Sequence, residues 1–276
     1  MSTISASDVK KLRDMTGAGM MDCKKALAEA EGDFDKAIEV LRKKGQKLSA
    51  KRADRDAREG VVLAVTTADK GRGVIVKLSC ETDFVAKNED FVALTQRFAE
   101  LALDAFPATR EEVLALPFDG ITIGEKVSEQ VGVIGEKIEL ADYQRLEAPM
   151  VAPYIHMGNK AGVLVGLNKA SEDFYDAGRD VAMQVAAMHP IAVDEDGVDA
   201  ETIQKEIEIG KEQARAEGKP ENLIEKIAMG KLNKFYKEKT LLNQQFVKDN
   251  NFSVASYLQS KDKELTVTDF KHVTLG

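Results

Sequence analysis

The sequence predicts an α+β fold with a duplicated core and antiparallel sheets, and three observations carry that expectation. Apolar spacing is helical up to about residue 45 and turns strand-like at Gly60. A strand, junction, helix and proline then recur in the same order between residues 60 and 190. Past residue 199, two charged amphipathic stretches meet at Gly218-Lys219-Pro220, as the arms of a protruding antiparallel helical hairpin do. The expected organisation is a three-helix module (1–45), a charged linker (46–59) and a first core half (60–148). A second half begins at 149–198, followed by the coiled-coil-like hairpin (199–239) and a short C-terminal module (240–276).

In the N-terminal module, Ser5-x-x-Asp8 has the spacing of a capping box, Val9 and Leu12 share a face, and Gly17 suits a helix C-cap. A second helix from about Gly19 is expected to bury Cys23, Ala26, Leu27 and Ala30. Asp33 can cap a third, with Phe34, Ala37, Ile38 and Leu41 inward and Gly45 as its end. Met20 and Met21 are adjacent, so they cannot both face inward on a helix; at least one thioether is expected at the surface.

Val61–Val65 and Val74–Leu78 read as a β-hairpin across the polar turn 68–73. A helix after Asn88 repeats Phe91, Leu94, Phe98, Leu101 and Ala105 before Pro107. The second copy follows: Gly73-Val-Ile-Val matches Gly162-Val-Leu-Val, 89 positions on (162 − 73), and Asp83-Phe84 matches Asp173-Phe174, 90 on (173 − 83). That copy runs into a helix ending before Pro190, with Met150–Met157 as its hairpin partner. Between the halves, residues 108–148 read as helical structure returning to a strand at Lys137–Leu140. The hairpin seam is expected from Ile203, Ile207, Ala214, Leu223, Ile224, Ile227, Leu232 and Phe235. The tail has a short helix around Val254–Leu258 and extended segments that dock on this chain or on a partner.

Composition narrows the function. Hydrophobic residues at 43% and charged residues at 31% are those of a soluble globular protein. No run reaches the ~18 apolar residues of a bilayer span, and Met1–Ser5 shows no leader pattern. A net charge of −8 argues against phosphate-backbone binding. The one basic run, Lys43-Lys44 with Lys47, Lys51, Arg52 and Arg55, is interleaved with Asp54, Asp56 and Glu59 and reads as a solvated helix. Cys23 and Cys80, far apart, read as reduced, buried thiols of a cytoplasmic protein. Neither phosphate loop nor dinucleotide fingerprint occurs, and His156, His189 and His272 are scattered without metal-ligand spacing, so no cofactor or metal is expected.

Attention falls on the junction Cys80-Glu81-Thr82-Asp83-Phe84-Val85-Ala86-Lys87, because rigid flanking elements make strand-to-helix junctions good carriers of function. Asp83 can be a helix cap and Phe84 a core residue; alternatively both are exposed for a partner. An enzyme built on Cys80, or on Glu81 with Asp83, is a rival reading, as is a peptide-binding adaptor built on the N-terminal helices, which resemble a ubiquitin-associated (UBA-like) bundle.

Two stretches decide among these. Thr16-Gly-Ala-Gly-Met-Met-Asp-Cys-Lys-Lys-Ala-Leu27 resembles the N-terminal signature of bacterial elongation factor Ts, and Thr82-Asp-Phe-Val-Ala-Lys87 resembles that family's second signature. The resemblance implies guanine-nucleotide exchange on the GTPase elongation factor Tu, without covalent catalysis. It implies that Phe84, with Thr82, Asp83 and Val85, wedges near the partner's magnesium site, and that Arg13, Met20 and Met21 touch the GTPase domain. His156 falls at the family's histidine facing another domain of the partner, and the C-terminal module is expected to reach back to the GTPase domain. No nucleic acid or membrane partner is implied, and the helical hairpin is the candidate surface for a weak homodimer.

Overall fold

The computed structural model describes residues 4–276; the Met1-Ser2-Thr3 start read for a leader lies outside them. Ser5 opens α1 (Ala6–Thr16): its hydroxyl accepts from the Asp8 N–H while the Asp8 carboxylate accepts from its own N–H, the capping box expected. Gly17, at φ 70°, closes the helix in the left-handed conformation that glycine adopts without strain. α2 (Met20–Glu29) and α3 (Phe34–Arg52) follow, the latter capped by Asp33, and Leu12, Cys23, Leu27 and Ala37 form the small core.

Next come β1 (Glu59–Thr66), β2 (Arg72–Cys80), the one-turn α4 (Asp83–Ala86), α5 (Glu89–Ala105) and α6 (Arg110–Leu114). A two-residue hairpin, β3 (Pro117–Phe118) with β4 (Ile121–Thr122), leads to α7 (Ile123–Ile134) and β5 (Glu139–Glu147). The remainder is β6 (Met150–Ile155), β7 (Ala161–Leu167), α8 (Glu172–Met188), α9 (Ala200–Ala216), α10 (Glu221–Lys239), α11 (Val254–Lys261) and β8 (Val267–Thr274). The fold is α+β, with antiparallel sheets ordered β1-β2-β5 and β6-β7-β8.

Period-two alternation stacks these elements in four layers. Val61, Leu63, Val74 and Val76 face Phe91, Phe98 and Ala102 of α5, while Val62, Ala64 and Ile75 point the other way, onto Val151, Leu164 and Val273 of the second sheet. On that sheet's far face, Val163, Val165 and Leu167 meet Val181 and Val185 of α8. The order is α5, sheet, sheet, α8, and apolar burial in all three interfaces supplies the main cohesive term.

The halves match in detail. Their third strands join with a register shift at Lys77/Leu78 in one and Gly166/Leu167 in the other, 89 positions apart (166 − 77). α5 and α8 both end on a left-handed residue at φ 47°, Phe106 and His189, before a proline. Between the sheets, a Cβ on Gly73 would come 2.9 Å from Leu164 and Val151, and one on Gly162 3.0 Å from Val62 and 3.3 Å from Ile75. Val62 and Val151, like Ile75 and Leu164, are 89 apart (151 − 62, 164 − 75). The glycines therefore occupy reciprocal places across an approximate twofold.

Three expectations need correcting. Gly45 does not end α3, which continues to Arg52 through much of the charged linker. Gly45 is buried where α3 crosses α7; a Cβ there would lie 2.8 Å from the Ser128 carbonyl, and Gly132 faces it. Close helix approach, not termination, is its physical reason. Ala105 is exposed, and Thr95, Ala99 and Ala102 complete the inner face of α5. Leu223 points outward; Gly210, Ala214, Ile224, Ala228 and Leu232 are the buried residues of α9 and α10, with Ile203, Ile207, Ile227 and Phe235 half-buried. The tail docks on its own chain: β8 extends the second sheet, and Leu241, Phe246, Val254 and Leu258 fill the core under α8.

Candidate functional site

The 80–88 junction is a single helical turn between β2 and α5. Thr82 holds the N-cap position of α4, the Ala86 and Lys87 amides bond back to the Thr82 and Asp83 carbonyls, and Asn88 caps α5 by accepting from Asp90 and Phe91. Val85 and Ala86 turn inward onto the first-half core. Phe84 cannot follow them in so short a turn and is 83% exposed, which removes the core alternative. Asp83 is the first residue of α4 instead of its cap, and the Lys87 ammonium holds its carboxyl below the usual range.

Two carboxylates brace this turn. Glu136 accepts from the Glu81 N–H at 3.1 Å, the Thr82 N–H at 3.0 Å and the Thr82 hydroxyl at 2.7 Å. Glu81 accepts from the Lys137 N–H at 2.6 Å, Arg52 at 2.9 Å and Arg55 at 3.1 Å. Burial opposes the Glu81 charge, but the Lys137 N–H and the two guanidinium groups outweigh it and lower its pKa. The expected basic run is thereby partly consumed, since Lys44 also pairs with Asp22.

The three groups on which the rival enzymatic reading rests, Cys80, Glu81 and Asp83, each have other partners. The Cys80 thiol donates to the Thr82 carbonyl at 3.2 Å, and burial, with Glu136 nearby, pushes its pKa up to about 12, away from the nucleophilic thiolate. Glu81 is paired with Arg52 and Arg55, and Asp83 with Lys87. No cluster of three or more metal-ligating side chains occurs among the described residues.

A cleft of about 600 Å³ joins the junction to the N-terminal module, with Thr16 and Gly17 on one wall and Thr82, Phe84 and Val85 on another. Arg13, Met20 and Met21 are exposed around the corner that forms the first wall, Met21 at 63%. Met15, 56% exposed, does not line this cleft; it faces a separate hollow with Phe118, Lys126 and Val133. His156 does not line this cleft. It follows β6 at the start of a 3-10 turn (Met157–Asn159), its Nδ1 3.3 Å from the Tyr154 hydroxyl, beside Met157 at 85% exposure. Glu136, Arg52 and Arg55 were not legible as site residues, because their partners lie 26 to 55 positions away.

Fold and site together define a class: an α+β chain that offers an exposed aromatic on a short turn held by part-buried carboxylates. Comparison with known proteins gives the class a family. Residues 81–276 match the family model described as Elongation factor TS. The Elongation factor Ts of Christiangramia forsetii is 55% identical over 276 residues, all of both chains, and that of Flavobacterium psychrophilum matches equally over the same span. The Porphyromonas gingivalis protein is 50% identical across 99% of this chain and 98% of its own. The chain belongs to the elongation factor Ts family of translation elongation factors. No helix among the described residues is long and apolar enough to cross a membrane.

Proposed function

We propose that the chain is the guanine-nucleotide exchange factor for elongation factor Tu: it binds the GDP-bound GTPase, weakens its hold on Mg²⁺ and GDP, and lets GTP rebind during elongation. The exposure of Phe84 on a braced turn is the observation that carries this reading. A GTPase holds its nucleotide through backbone N–H groups, a lysine and Mg²⁺. A wedge that fits only the Mg²⁺-free arrangement shifts the equilibrium by its differential affinity, and linkage makes the effect reciprocal.

Magnitudes require more than one contact. A rate gain of roughly 10⁴ corresponds to about 5.5 kcal/mol of barrier lowering, and burying one phenylalanine offers about 1.5–3 kcal/mol. Phe84, with Thr82, Asp83 and Val85 setting its approach, is the wedge. Arg13, Met20 and Met21 grip the GTPase domain across the shared cleft, and His156 meets a second domain of the partner. Flexible thioethers suit such a surface. The chain works in the cytoplasm, without cofactor or covalent step, and the α9–α10 hairpin is its surface for a weak homodimer. Stopped-flow mixing of this chain with Tu carrying a fluorescent GDP tests the proposal: concentration-dependent acceleration of GDP release is expected, and release at the spontaneous rate would refute it.

A further inference from the structure

Phe84 is held by its backbone more than by its ring, because the ring is largely in solvent. What orients the backbone of residues 81–83 therefore orients the prong. Thr82 stands at the N-cap of α4 but makes no side-chain cap bond; its hydroxyl is donated to Glu136 Oε1 at 2.7 Å. Glu136 Oε2 accepts from the two amides that enter the turn, Glu81 and Thr82. In return the Glu81 carboxylate accepts from the Lys137 amide, and Lys137 Nζ donates to the Ala53 and Arg55 carbonyls at 2.7 and 3.0 Å. Each loop's carboxylate thus caps the other loop's backbone, and the end of α3 is drawn into the same latch through Arg52, Arg55 and Lys137. Charge-assisted bonds of this kind are short and directional, which fixes geometry as well as adding energy.

The second half supplies an internal control. There the strand before the junction is tied by Asn168, whose side-chain amide donates to the Glu264 carbonyl and accepts from the Thr266 amide, and Lys169 pairs with Asp262 and Glu264. Ser171 caps α8 with no side-chain bond, and Phe174 is packed on the core. The carboxylate latch on the turn itself accompanies the exposed aromatic, and among the described residues no such latch holds the turn where the aromatic is packed.

We infer that Glu136 is a positioning residue for exchange: by binding the Glu81 and Thr82 amides and the Thr82 hydroxyl, it holds Phe84 in the geometry that enters the GTPase. This rests on the exchange reading above. A loosened turn must be ordered again on docking, so the wedge loses its preorganisation while the rest of the contact surface is intact.

Glu136→Gln removes the charge and leaves one oxygen for three donors. The expected result is at least tenfold faster hydrogen exchange of the Glu81 and Thr82 amides by NMR. With Tu and a fluorescent GDP, the maximal release rate falls about tenfold while the half-saturating concentration stays within twofold. A purely structural loss would not split the two parameters in this way. Thr82→Val, which deletes only the hydroxyl donor, should move the rate the same way by a smaller factor and guards against misfolding of the first variant. On a Phe84→Ala background Glu136→Gln should add little, because the latch acts through the missing ring. If Glu136→Gln and Thr82→Val keep the full rate while Phe84→Ala is slow, the positioning role is overturned and the exchange reading stands. If Phe84→Ala is also fully active, the wedge is wrong and the role assigned to Glu136 falls with it.

Discussion

The two halves of the core are near-copies that part at one place, the junction between strand and helix. Strand order, bulge position, left-handed helix end and interface glycine all correspond. The junction aromatic does not: Phe84 stands in solvent on a separate four-residue turn, whereas Phe174 lies within the first turn of α8 and packs on the core beneath it. A scaffold that must fold twice constrains the strands and glycines equally in both copies. The junction escapes that constraint once another element, here the Glu136 loop, holds it in place.

The strongest way to break the comparison is through its symmetric part. Gly73→Val and Gly162→Val would each force side-chain atoms into the opposite sheet, and overpacking of this sort costs about 1–3 kcal/mol or more. Urea unfolding should show similar losses for both; a large loss at one position alone would deny the reciprocal packing. The asymmetric part is sharpened by Phe174→Ala, expected to destabilise by about 2 kcal/mol, below the range for a fully buried phenylalanine because Phe174 is only half-buried. Phe84→Ala should alter stability by less than about 0.5 kcal/mol, as surface substitutions do. Equal losses in the two variants would erase the distinction.

The smallest expected effect concerns pH. The Glu81 carboxyl titrates below its unfolded value, so in that interval the native state binds fewer protons than the unfolded chain. Its stabilising contribution is therefore complete above the ordinary glutamate value of about 4.3 and is lost as pH falls through the lower, folded value. Amide protection at Lys137, the backbone donor to Glu81, should hold from neutral pH down to that range and drop below it. Loss of protection already near pH 6 would contradict the assignment.

Much of the fold is written in local pattern. The Gly-Val-x-Val repeats, the Ser5 and Asp33 caps and the two arms around Gly218 depend on neighbours a few positions apart. Gly45 misleads because a helix stop and a close helix crossing ask for the same residue, and only the presence of α7 tells them apart. Phe84 is ambiguous for a related reason: an aromatic after a strand fits a core as well as a prong until its burial is known. The Glu136 latch, and the stacking of His189 on His272 at 5.0 Å between ring centroids, join residues too distant in sequence for any spacing rule to connect. The candidate site was thus visible as a pair of signatures, while the parts that hold it rigid were not.

The central claim is that the exposed aromatic of the first junction drives nucleotide release. Stopped-flow release of fluorescent GDP from Tu, at saturating concentrations of the Phe84→Ala chain, measures it most directly. Losing about 1.5–3 kcal/mol of transition-state burial corresponds to a fall of about 10- to 150-fold in maximal rate, with the unfolding curve unmoved. A Phe84→Ala chain that releases GDP as fast as the unaltered one would contradict the account.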